Sequence, residues 1–130
     1  MANASIFAVD DNPVNLALLS AIFRAHGYRF GSAKDAASAL AALPDFHADV
    51  ILMDLQLPAV DGLTLTRQLR QDPAYAGMII IAVTSYAMKG DRERALAAGC
   101  DDYVTKPIDT RGLPATVERH LAARSDKINR

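Results

Sequence analysis

Four short apolar runs in this chain each end in a residue type that handles phosphate or a hard cation. Ile6-Phe7-Ala8-Val9 ends in Asp10-Asp11, and Val50-Ile51-Leu52-Met53 ends in Asp54. Ile79 to Val83 ends in Thr84, and Tyr103-Val104-Thr105 ends in Lys106-Pro107. If the runs are parallel strands of one sheet, their carboxyl ends share the edge at which open α/β sheets bind ligands. The carboxylates, a hydroxyl and an ammonium then face a single crevice. Mg²⁺ takes an octahedron of hard oxygens, keeps several waters, and accepts one or two carboxylates together with phosphate oxygens. Asp10, Asp11 and Asp54 supply such ligands from neighbouring strand ends. Packed carboxylates repel one another, and a dication relieves that repulsion. Lys106 offers a compact charge suited to a phosphate or acyl-phosphate oxygen, and Thr84 a hydroxyl donor. Asp54, alone at its strand end, can act as a carboxylate nucleophile toward phosphorus. Catalysis at such a site is positioning plus neutralisation of phosphoryl charge by Mg²⁺ and Lys106.

The elements that must position these residues follow from the same pattern. Fully apolar runs alternating with helix-length segments mark strands buried on both faces, as in a parallel sheet covered by helices. Asn12-Pro13 reads as an N-cap followed by proline at the first helical position. That helix runs to about His26 and stops at Gly27. Residues 28–31 read as a second strand. Ser32 can cap a second helix reaching about Leu43, which Pro44 closes. Strand three is Val50 to Met53. The loop 55–61 contains Pro58, and Gly62 opens a third helix ending near Gln71-Asp72-Pro73. Strand four is Ile79 to Thr84, helix four runs from about Lys89 to Ala98 with Gly99 as its stop, and strand five is Asp102 to Thr105. Leu113, Val117 and Leu121 recur on one face of a fifth helix. The expected fold is α/β: a (βα)5, flavodoxin-like, doubly wound parallel five-stranded sheet of order 2-1-3-4-5. Residues 1–123 make the domain, and residues 124–130 read as a polar tail, frayed or leading into a linker.

The chain has 130 residues, which fits one domain. It is 51% hydrophobic and 22% charged, ordinary for a globular protein. A net charge of −1 gives no electrostatic case for nucleic acid or an anionic membrane. The single cysteine, Cys100, excludes an intramolecular disulfide and a cysteine-based metal motif, and fits a reducing compartment. The N-terminus has no signal-peptide pattern, and no apolar stretch approaches the ~20 residues of a membrane helix. The expectation is a cytoplasmic, soluble domain.

Taken together, Val9-Asp10-Asp11-Asn12, Leu52-Met53-Asp54-Leu55-Gln56-Leu57-Pro58 with Asp61-Gly62, Val83-Thr84-Ser85 and Lys106-Pro107 resemble the receiver domain of bacterial two-component response regulators, the CheY-like family. The likeness covers about residues 5–123. The stretch from Ala87 to Arg94, with Ala98-Gly99-Cys100, further resembles stand-alone cell-cycle receivers and receivers attached to hybrid histidine kinases. The resemblance implies that Asp54 is the phospho-acceptor. It implies Mg²⁺ held directly by Asp11 and Asp54, by Asp10 partly through water, and by the Gln56 backbone carbonyl. It makes Thr84 and Tyr103 a switch pair and Lys106 the contact to the acyl phosphate. A histidine kinase or histidine phosphotransfer protein is the implied donor, and a downstream protein the implied target. One departure is Tyr86, bulkier than the small residue often found two positions after the threonine; it can slow water access to the phosphoaspartate or shape the partner surface. The Lys106-Pro107 bond is expected to be cis, since only X-Pro bonds make that isomer cheap, and so to hold the ammonium over Asp54.

On helix one, at 100° per residue, Leu16, Leu19 and Phe23 form one stripe. Leu18 points about 130° from its centre and Ile22 about 90°. Asn15, Leu18 and Ile22 are therefore read as a partner-docking patch beside the acidic crevice. His26 fits a helix end, where the dipole favours a cation. His47 and His120 fit surface roles, Asp101-Asp102 turn chemistry on the opposite sheet edge, and Cys100 a small buried side chain. Arg92, Glu93 and Arg94 read as a solvated helix face. The expected function is a phosphorelay switch, monomer or weak dimer, without an output domain of its own. An excised receiver of a hybrid kinase would keep the same chemistry. A haloacid-dehalogenase-like phosphatase needs a second Asp two residues after the nucleophile, where Gln56 stands. A flavin carrier on this fold would find its phosphate repelled by Asp10-Asp11.

Overall fold

The computed structural model describes residues 4–85 and 89–128. Tyr86 lies outside the described residues, as do Ala87 and Met88. Strands β1 (Ser5–Val9), β2 (Arg29–Ala33), β3 (Val50–Met53), β4 (Ile79–Thr84) and β5 (Asp102–Thr105) form one parallel sheet ordered β2-β1-β3-β4-β5. Helices α1 (Pro13–Ala25), α2 (Ala36–Phe46), α3 (Gly62–Gln71), α4 (Asp91–Ala98) and α5 (Gly112–Ile128) alternate with them. The chain steps outward from β1 to β2, then returns past β1 to β3. That reversal leaves a crevice outside the carboxyl ends of β1 and β3.

The strand sequences explain the layering. Residues of β1, β3 and β4 are buried throughout, and alternate side chains go to opposite faces. Phe7, Val9, Ile51, Met53 and Ile80 pack under α2, α3 and α4, against Leu43, Leu65, Leu69 and Ala95. Ile6, Ala8, Val50, Leu52 and Ile81 pack under α1 and α5, against Leu19, Phe23, Leu113 and Val117. The edge strands β2 and β5 are partly exposed.

Helix starts follow their caps. Asn12 accepts from the Val14 and Asn15 amides at α1, and Asp61 from the Thr64 amide at α3. Several boundaries differ from the sequence reading. Ser32 and Ala33 extend β2 by pairing with Ala8 and Val9, so Asp35, not Ser32, caps α2 through the Ser38 amide. Pro44 does not close α2; it lies inside the last turn. Phe46 holds that turn in place, its ring edge-on to Phe7 at 5.2 Å and beneath the Arg29 guanidinium at 3.9 Å. Helix α4 starts at Asp91 rather than near Lys89, because Gly90 takes φ 93°, outside the right-handed helix. At the other end, α5 runs on to Ile128, through residues read as a tail. Arg124 fixes it there, donating from Nη2 to Asp49 Oδ1 at 2.9 Å. Among the described residues, no helix is long and apolar enough to cross a membrane.

Candidate functional site

Asp10 follows β1 and is 3% exposed. Its Oδ1 accepts from the Asn12 amide at 2.9 Å, and its Oδ2 from Lys106 Nζ at 2.9 Å and Asn15 Nδ2 at 3.5 Å. Asp11 is exposed. Asp54 follows β3 and is 4% exposed. Its backbone N–H donates to Val9 O at 2.9 Å, tying the ends of β1 and β3 together. Its Oδ1 accepts from the Gln56 amide at 2.9 Å and its Oδ2 from Lys106 Nζ at 2.8 Å. Lys106 follows β5; its amide donates to Thr84 O at 2.9 Å, and the Lys106–Pro107 bond is cis. Thr84 is fully buried at the end of β4. Residues from four strand ends thus meet at one edge.

The electrostatics differ from those expected of a bare acidic cluster. Lys106 bridges two carboxylates that sequence reasoning left repelling one another. Burial by itself would lower the pKa of this ammonium. Hydrogen bonds and charge from Asp54 and Asp10 overturn that and hold it above the ordinary lysine value. The sequence reading placed this ammonium over Asp54, as found; it did not give the second partner, Asp10, 96 residues away.

The donor set suits Mg²⁺. Carboxylate oxygens of Asp10, Asp11 and Asp54 all lie within 4.8 Å of one another. Ligand oxygens of a magnesium octahedron are about 2.9 Å apart when adjacent and about 4.2 Å when opposite, so three hard oxygens clustered on this scale can converge on one ion. The Gln56 amide bond to Asp54 sets the Gln56 main chain beside the same carboxylate.

The remaining residues separate by position. Tyr103 packs against the core layer under α2 to α4, and its buried hydroxyl has no hydrogen-bond partner among the described residues. Leu18 is exposed at 38%, but Ile22 is half-buried and packs on the α1–α5 core layer. Asn15 faces Asp10, so it belongs to the crevice. The apolar neighbour of Leu18 on the open face is Val14, 73% exposed; its spacing of four from Leu18 is the signal that would have found it. Asp101 and Asp102 lie at the amino edge of the sheet, away from the site. Asp101 Oδ2 accepts from the Ile80 amide and Arg70 Nη2, both at 2.8 Å. His120 is not a free surface group, since its Nε2 meets Asp102 Oδ2 at 2.9 Å. Cys100 is buried, and burial pushes its thiol pKa up.

Comparisons with known proteins agree with this geometry. A family model described as the response regulator receiver domain matches residues 6–118. The polar-differentiation response regulator DivK of Brucella ovis is 38% identical over 117 residues, which span 90% of this chain and 95% of that protein. A CheY-like response regulator receiver domain protein from Methanospirillum hungatei superposes with a TM-score of 0.89 at 28% identity, over 96% of this chain and 98% of that one. The receiver domain of sensor histidine kinase PA1611 from Pseudomonas aeruginosa is 38% identical with a TM-score of 0.81, over 90% of this chain and 96% of that one. In that structure a magnesium ion is coordinated in the active-site cleft.

Proposed function

The chain belongs to the response regulator receiver family of two-component signalling, and from that premise we propose that it is a phosphorelay switch with Asp54 as phospho-acceptor. One observation carries the reading: Lys106 Nζ spans Asp10 and Asp54 at 2.9 and 2.8 Å, beside an oxygen cluster suited to Mg²⁺. An Asp54 carboxylate oxygen attacks the phosphorus of a phosphohistidine. The P–N bond breaks as the P–O bond forms, and the imidazole nitrogen keeps the electron pair. Lys106 then meets the acyl phosphate, and Thr84 donates its hydroxyl to a phosphoryl oxygen. Asp10, Asp11, Asp54 and the Gln56 carbonyl would hold Mg²⁺, which supplies neutralisation of phosphoryl charge when bound. Later attack by water returns Asp54 and releases inorganic phosphate, so the chain catalyses its own phosphorylation and slow dephosphorylation.

Thr84 and Tyr103 form the switch in this reading. Tyr103 is half-buried, its ring packed on the core layer under α2 to α4. A buried hydroxyl left without a partner costs roughly 1–3 kcal/mol, so an outward arrangement of similar energy is within reach. Thr84 biases the two by moving toward the phosphate, and the surface of α4, β5 and α5 carries the result to a downstream protein. The chain acts through such contacts, in the cytoplasm, as a stand-alone regulator. The equal likeness to a hybrid-kinase receiver supports the same acceptor chemistry within a longer protein as a second reading; the length of the reading frame separates the two. The test of the chemistry is intact-mass measurement after phosphoramidate and Mg²⁺ treatment. One added phosphate is expected, and none in Asp54→Asn. Modification persisting in that variant would overturn the assignment.

A further inference from the structure

Resting on Asp54 as the acceptor, we infer that Gly62, braced by Thr66, is a positioning residue for the accepting carboxylate. Gly62 is buried as the first residue of α3, and no unusual φ calls for glycine there; space does. A Cβ at Gly62 would lie 2.3 Å from the Asp54 carbonyl oxygen, 2.8 Å from Leu55 Cα and 3.0 Å from the Asp54 carbonyl carbon. All three are backbone atoms, so no flexible side chain can swing aside. The Gly62 amide also donates to Leu55 O at 3.1 Å, which seats the start of α3 directly on the peptide after Asp54.

Thr66 holds Gly62 from within the helix. Its hydroxyl, fully buried, donates to Gly62 O at 2.7 Å. Asp61 fixes the same turn by accepting from the Thr64 amide at 2.9 Å. On its other side, Asp54 is tied through its own amide to Val9 O at 2.9 Å. The main chain of the acceptor is therefore gripped between β1 and the first turn of α3, and its carboxylate is aimed at Lys106. A side chain at Gly62 has to push the Asp54–Leu55 peptide or the start of α3 by about 1 Å, a displacement that can cost on the order of 100-fold in rate. The displacement falls on the attacking carboxylate, so at saturating Mg²⁺ the loss falls on the transfer step.

The experiment compares wild type, Gly62→Ala, Thr66→Val and Gly77→Ala. Gly77 is the control, because a Cβ there meets nothing within 4 Å. Phosphorylation by phosphoramidate with saturating Mg²⁺ is followed over a range of donor concentrations, and the folded fraction is taken from proton NMR. Gly62→Ala is expected to lower the saturated rate about 10–100-fold with donor KM changed less than about 2-fold. Thr66→Val, which loses the hydroxyl brace, should lower it by a smaller factor, and Gly77→Ala should match wild type. A folded Gly62→Ala with the wild-type rate overturns the inference, as does a rate loss accounted for by the unfolded fraction. If Gly62→Ala does not fold, Thr66→Val decides, and an unchanged rate in that variant overturns it. Failure of wild type itself to be modified would instead defeat the acceptor assignment.

Discussion

At the residue scale, the site turns on one ammonium between two buried carboxylates. Removing one partner of a buried pair leaves uncompensated charge and costs about 3–5 kcal/mol. Lys106→Met keeps most of the side-chain bulk and deletes the charge that Asp10 and Asp54 share. It should lower the melting temperature by about 10 °C or more without metal. Mg²⁺ should then raise it further in the variant than in wild type, since the dication takes over the neutralising role. Thermal scans with and without Mg²⁺ check this; equal metal-induced shifts would mean the ammonium does not hold the carboxylates. The pH dependence has a definite sign. A pKa raised by folding gives stability fully present below the unfolded lysine value of about 10.4 and lost as pH rises through the higher folded value. The deficit of Lys106→Met should therefore be constant from pH 6 to 9. The residue types of this site were legible in sequence because each one ends an apolar run. The pairing of Lys106 with Asp10 was not, because it is set by strand order and side-chain reach.

At the element scale, legibility followed the strength of the local signal. The strands β3, β4 and β5 matched the sequence reading to the residue; in β3 and β4 unbroken apolar runs between turn residues leave little choice. The region around β2 and α2 did not. Ser32 and Asp35 are both competent caps, and only the pairing of Ser32 with Ala8 decides between them. Pro44 signals a helix end locally, but the burial of Phe46 against Phe7 extends the helix past it. Helix α1 was read correctly for its core stripe and incorrectly at its margin. Wheel angles place Ile22 off the stripe, yet the breadth of the sheet lets it pack. The docking patch proposed for a phosphohistidine partner is thereby narrowed to Val14 and Leu18. Leu18→Asp should reduce transfer from a cognate phosphotransfer protein by at least about tenfold, or 1.4 kcal/mol, and leave phosphoramidate modification unchanged. Ile22→Asp should instead destabilise the fold, because it buries a charge. Paired transfer and urea-unfolding assays separate the two, and loss of both donor reactions in Leu18→Asp would mark a structural role for that side chain as well.

At the scale of the whole molecule, the two edges of the sheet divide the work. The carboxyl edge gathers Asp10, Asp11, Asp54, Thr84 and Lys106. The amino edge gathers struts: Arg124 to Asp49, Arg70 to Asp101, and a cluster on Asp102. Asp102 opens β5, and its carboxylate meets His120 at 2.9 Å and Arg119 at 3.3 Å from α5, with Arg92 at 3.8 Å from α4. It also accepts from the Tyr103 amide at 2.8 Å. One side chain thus ties both flanking helices to the strand that carries Tyr103 and leads into Lys106. Burial by itself would raise the Asp102 pKa; hydrogen bonds from His120 and the Tyr103 amide, then the charges of His120 and Arg92, hold it below the ordinary carboxylate range. A depressed pKa gives stability that is present above the unfolded value of about 3.9 and lost as pH falls through the lower folded value. Asp102→Asn keeps the shape and removes the charge. It should cost about 1.5–3 kcal/mol at pH 7, the range for hydrogen bonds to a charged group. The loss should shrink below about pH 4. Urea unfolding of both proteins across that range is the measurement. A deficit as large at pH 3 as at pH 7 would show that Asp102 acts through shape alone. A deficit confined to the charged range would show that the amino edge holds α4 and α5 by charge.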